Sequence, residues 1–214
     1  MKKYLLTLAL GLMWITFANA TDPAYVKAIQ NQIDGMKTIK SAEESQAVSN
    51  GFLRISEANT SEWLPIYYAA LTQTTAAFRF DVNKDQYFDQ ALELVKKADQ
   101  VAPGNSEIAA LNGYILMGKI SLDPANRGQS LSPEAMQLFG KAISLDRENP
   151  RAVTLMSQME LGMAQFFGQG PEKACGMARM GLELFEKEEV KVDESYILPT
   201  WGKMNAEQVA GACK

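Results

Sequence analysis

The stretch Ala91-Leu92-Glu93-Leu94-Val95-Lys96-Lys97-Ala98-Asp99-Gln100-Val101-Ala102-Pro103 decides the fold. Read from Ala91, a small residue is followed four positions on by a bulky one and three further on by another small one. That is the period of one helix face, and Phe88 and Leu92 extend it. The helix stops at Pro103-Gly104, where proline has no N–H to continue it. The same spacing returns as Ala135, Phe139 and Ala142, after an earlier Val48, Phe52 and Ile55 and before a later Ala174, Ala178 and Gly181. The first members lie 43, 44 and 39 residues apart. Small residues let helices approach closely and the bulky one fills the gap between them, so each unit packs on the next. A period near 40 with two helices per unit marks a helical solenoid.

Start and stop signals place the other helices. Asp22-Pro23 opens the first, and Ser41 with Glu44 three positions on forms a capping box for the second. Ser61 is read as the start of the third, running past Trp63, Tyr67 and Phe78, and the polar run from Asp81 to Asp85 ends it. Asp123 to Gly128 is read as a long loop, with the next helix beginning at Ser132-Pro133-Glu134. Gly168-Gln169-Gly170-Pro171 separates the last two long helices. No segment alternates as a strand would.

This spacing resembles the tetratricopeptide repeat (TPR) family on Ala91, Val95, Ala98 and Pro103, with Gly113 matching the small first-helix position. The resemblance implies an all-α fold, a right-handed α-α superhelix of about three to four TPR-like helical hairpins with a C-terminal capping segment. It divides the chain into a leader (1–20), an N-terminal hairpin (21–58), repeats over 59–189 (about 61–103, 105–147 and 150–188) and a cap (190–214). In this family the first helices line a concave groove that binds peptides. Carried over, the groove positions include Tyr67, Leu71, Tyr114, Met117, Arg151 and Gln158. The tail from Pro199 to Cys213 then reads as a cap that Cys175–Cys213 would staple to the last hairpin.

The chain has 214 residues, 47% hydrophobic and 21% charged, with no histidine and a formal net charge of −4. That is a globular composition, and the acidic balance argues against nucleic-acid binding. Lys2 and Lys3, the apolar run Leu5–Phe17 and Ala18-Asn19-Ala20 form a signal peptide cleaved after Ala20. At 1.5 Å per residue its apolar run spans roughly 20 Å, short of a ~30 Å hydrocarbon core. The mature chain is expected in the periplasm or otherwise exported, without an integral membrane segment. There Cys175 and Cys213 either pair or stay as two buried thiols, and an oxidising compartment favours the disulfide.

Chemistry-bearing patterns are sparse. Asp81, Asn83, Asp85 and Asp89 follow calcium-loop spacing, but Gln86 replaces the required glycine and Leu92 the bidentate glutamate. The Gly168–Lys173 loop lacks phosphate-loop spacing. Serines have no histidine base. Arg127, Arg147 and Arg151 suggest a small basic patch, each usually neutralised by a nearby Asp123, Asp146 or Glu148. The expectation is therefore no metal, no cofactor and no catalysis: an exported scaffold binding a protein or peptide in its groove. The alternatives are a cell-envelope assembly component using its outer ridge or loops, and a two-carboxylate envelope hydrolase. Exposed end hairpins also leave room for a homo-oligomer.

Overall fold

The computed structural model describes residues 22–213, so the leader read at residues 1–20 lies outside them. The described residues form α1 (Pro23–Thr38), α2 (Ala42–Ala58), α3 (Leu64–Arg79), α4 (Lys84–Val101), α5 (Ser106–Leu122), α6 (Pro124–Leu145), α7 (Pro150–Phe167), α8 (Glu172–Glu189) and α9 (Lys203–Gly211). Short polar side chains set most of their starts. Asp22, Ser41, Asn83, Asn105, Asp123 and Asn149 each accept a hydrogen bond from a backbone N–H in the first turn. Gly168 ends α7 at φ 65°, the left-handed conformation that glycine adopts without a Cβ penalty.

Packing follows the repeat. Each helix from α1 to α8 packs on its chain neighbours, and the odd-numbered helices α3, α5 and α7 also touch in succession. Phe52, Ala91, Val95, Ala98, Ala135, Phe139, Ala142, Ala174 and Ala178 are all buried. The small residues are there for contact. A Cβ on Gly113 would stand 2.4 Å from the Phe139 ring, so only glycine lets α5 lie against α6 at this distance. The result is an all-α superhelix of stacked helical hairpins.

Two expected boundaries shift. Helix α3 starts at Leu64, with Pro65 in its first turn, because a helix begun at Ser61 would carry that proline into its interior. The expected loop at Asp123–Gly128 is instead the first turns of α6. Asp123 caps it, Pro124 takes the first position, and Arg127 is tied to Asp85 at 2.6 and 2.8 Å. Pro133 sits inside this helix on an exposed face, where water can take the carbonyl left without a partner.

Candidate functional site

The tail is more than an end cap. After α8, residues 190–195 are exposed, and the chain then crosses the face built by the first helix of each hairpin. Gln30 of α1 donates to the Glu194 carbonyl. Tyr68 of α3 donates its hydroxyl to the Ile197 carbonyl at 2.9 Å. The Trp201 indole donates to the Tyr67 hydroxyl at 2.8 Å and stacks on Tyr114 of α5, ring centroids 5.2 Å apart. Asn205 of α9 donates to Gln158 of α7 at 3.3 Å, and Cys213 is bonded to Cys175 of α8. We call residues 193–213 the strap. Its Trp201 packs against both hydrophobic cores, the one built by α1 to α5 and the one built by α5, α6 and α7.

Beneath the strap lies a buried ionic cluster. Arg151 is 3% exposed and grips Glu107 in a two-pronged pair, Nε to Oε2 at 2.7 Å and Nη2 to Oε1 at 2.8 Å. Its other N–H groups reach both oxygens of Glu188 and the Trp201 carbonyl. All of its donors are therefore committed within the chain. Tyr67 donates its hydroxyl to Glu107 at 3.2 Å, which completes a line from Trp201 through Tyr67 to the ion pair. One cation faces two carboxylates. Burial raises the Glu107 carboxyl above its usual range against the pull of Arg151, and the nearby Glu188 charge adds to the rise. Burial disfavours the Arg151 charge, but Glu107 and Glu188 outweigh it and hold the guanidinium above its ordinary value. Burial, then Glu107, pushes the Tyr67 hydroxyl well up. Alongside lies a cavity of about 330 Å³, lined in part by Trp63, Pro150, Leu184, Tyr196 and Pro199.

The groove positions read from the sequence are thus largely covered. Tyr67, Leu71 and Arg151 are buried, while Tyr114, Met117 and Gln158 are half-buried. The strap touches Tyr67, Tyr114, Arg151 and Gln158 directly. Glu107 is a further first-helix groove position carried over from the family, and Glu188 reads from the sequence as solvated surface charge; 44 and 37 residues separate them from Arg151, so nothing in the spacing links the three. The expected basic patch does not form. Arg127 and Arg151 find acids far away in sequence in place of Asp123, Asp146 or Glu148. In the calcium-like loop, Asn83 caps α4, Asp85 holds Arg127 and Asp89 pairs with Lys119. Among the described residues no group of three or more candidate ligands is placed to hold a metal ion. None of their helices is long and apolar enough to cross a membrane.

One exposed feature had no sequence reading. Phe166 and Phe167 end α7 with 81% and 63% of their surface open, their rings 5.1 Å apart and edge to face. Only their place just before the Gly168 stop signal hinted that they fall past the packed part of the helix.

No family model matches the chain, and no curated protein matches it. Among solved structures it is similar to the HusA haemophore from Porphyromonas gingivalis, with a TM-score of 0.77 and 25% identity over 91% of this chain and 94% of that one. The fold is a TPR-like helical repeat. Looser likenesses carry no argument about function. A double mutant of MamA RS-1 matches with a TM-score of 0.48 and 13% identity, over 77% of each chain. MamA (41 to end) from Desulfovibrio magneticus RS-1 matches with a TM-score of 0.32 and 12% identity, over 79% of this chain and 98% of that one. The TPR-like array here carries an internal disulfide and a buried ionic cluster under its own strap.

Proposed function

We propose that this protein is an exported, non-enzymatic binding protein whose ligand is a flat, largely apolar ring system of the haem type. The observation that carries the reading is the end-to-end likeness to a haemophore, over nine-tenths of both chains. The signal-peptide pattern and the Cys175–Cys213 bond agree with export. With no histidine and both cysteines in the disulfide, the chain would hold a porphyrin chiefly by apolar and aromatic contact, with tyrosine or methionine as the side chains able to meet iron. Phe166 and Phe167 supply exposed aromatic surface for stacking. Titration of the mature chain with haemin tests this. A saturable change in the Soret band is expected, weakened tenfold or more by Phe166→Ser with Phe167→Ser. A spectrum that never departs from free haemin would overturn the reading.

A second reading rests on the strap itself. The face carrying Tyr67, Leu71, Tyr114, Met117, Arg151 and Gln158 already holds a peptide segment through two of its backbone carbonyls and one tryptophan. A partner's extended segment would displace the strap and take over the same donors, with an aromatic residue on Tyr114. The affinity-captured partner should then be lost when Tyr67→Ala and Tyr114→Ala are combined. A partner kept by that variant would move the contact to the ridge or the loops.

A further inference from the structure

We propose that the Cys175–Cys213 disulfide is a latch, and that its reduction releases the strap as a unit from an otherwise intact helical array.

Three observations meet here. The bond lies at the far end of the strap, joining α8 to residue 213, while the near end leaves α8 through residues 190–195, all exposed. The strap is thus pinned at its far end by the disulfide, while its near end continues from α8 through an exposed stretch tied to the array by the Gln30–Glu194 hydrogen bond. Between these ends it buries little. Only Pro199, Ala206 and Val209 are buried, and the remaining grip consists of the packing of α9 on α7 and α8, the Lys203–Glu189 ion pair, single hydrogen bonds and the Trp201 stack. Helix α9 has nine residues, too few to persist in water once detached. The array beneath has its own cores, built from α1 to α5 and from α5, α6 and α7, to which the strap lends only Ile197 and Trp201 at the margin. What holds the strap is therefore separable from what holds the array.

With α8 intact, the flexible loop that the bond closes is residues 190–213, and closing it favours the docked strap by roughly 100-fold or more in the chain-entropy account. The chemistry needs an external dithiol. Its thiolate attacks the half-buried Cys213 sulfur and the S–S bond breaks. Cys175, which is buried, leaves as a thiolate and takes up a proton. The second thiol of the reductant then resolves the mixed disulfide. Two electrons and two protons reach the protein, and the dithiol becomes a disulfide. Release uncovers the Tyr67, Tyr68 and Tyr114 rings and leaves Arg151 without its Trp201 carbonyl. The proposal depends on neither ligand reading above.

Amide hydrogen exchange of the mature chain, followed by mass spectrometry with and without dithiothreitol, tests it, with Cys213→Ser as a chemically independent route. Exchange over residues 193–213 should rise at least tenfold in both cases while α5 and α6 keep their protection. Unchanged exchange in the strap would overturn the proposal, because the non-covalent grip would then suffice. Equal loosening of strap and array would overturn it too, making the bond a staple of the whole fold.

Discussion

The hairpin ladder and the strap are built on opposite plans. In the ladder, contacts join residues within one or two helices of each other, and shape does the work: Gly113 admits Phe139, and alanines at the repeat positions let helices close up. In the strap, contacts join residues up to 164 apart in sequence, and polar atoms do the work. The ladder is a local, repeated solution to burying apolar surface. The strap occurs once and is held by partners that no repeat predicts. Perturbing the ladder should therefore cost stability everywhere, and perturbing the strap should change one face.

The largest effect should come from the ladder. Phe139→Ala empties a fully buried site between α5 and α6 and should destabilise the fold by about 3–5 kcal/mol in urea unfolding. A loss below about 1 kcal/mol would mean the repeat packing is not what holds the array. Next comes the boundary between the two regions. Arg151→Leu leaves Glu107 and Glu188 facing each other without their cation, and should cost about 3 kcal/mol or more at neutral pH. Protonating Glu107, whose carboxyl burial already holds above its usual range, relieves the repulsion, so that loss should shrink as the pH falls, measured by unfolding at several pH values. Trp201→Ala should cost less, on the order of 1–2 kcal/mol, and increase exchange in the strap while the ladder stays protected.

The pH dependence sharpens the contrast. Glu107 has a raised folded value, so its contribution to stability is fully present below the ordinary carboxyl value of about 4.3 and is lost as pH rises through the folded one. Asp85, on the ladder, is held low by its hydrogen bonds to Arg127. Its contribution is present above about 3.9 and is lost as pH falls through the depressed folded value. Glu107→Gln and Asp85→Asn should thus flatten opposite limbs of the stability–pH curve. Smallest of all, Phe166→Ser with Phe167→Ser should change stability by less than about 0.5 kcal/mol, since both rings lie in the open.

These differences also explain what the sequence disclosed. Ala91, Val95 and Ala98 are legible because burial at a fixed period leaves a composition signal, and the helix starts at Asp22 and Ser41 because a cap needs a short polar side chain at one position. Asp123–Gly128 misled because a run of turn-forming residues also describes a capped, proline-started helix. The link from Arg151 to Glu107 and Glu188 left no trace, since an ion pair between distant helices imposes no spacing. The tail's cysteine gave its anchor on the last hairpin, yet nothing around Trp201 disclosed that the segment also runs across Tyr67 and Tyr114.

The strap's docking is the claim on which the rest turns, and one signal reports it. The chain has three tryptophans, Trp14, Trp63 and Trp201, and Trp201→Phe assigns the indole N–H resonance of the strap. In the oxidised protein the Trp201 indole should be protected from exchange and show nuclear Overhauser contacts to the Tyr67 and Tyr114 rings. An indole that exchanges at the solvent rate and touches neither ring would contradict the account.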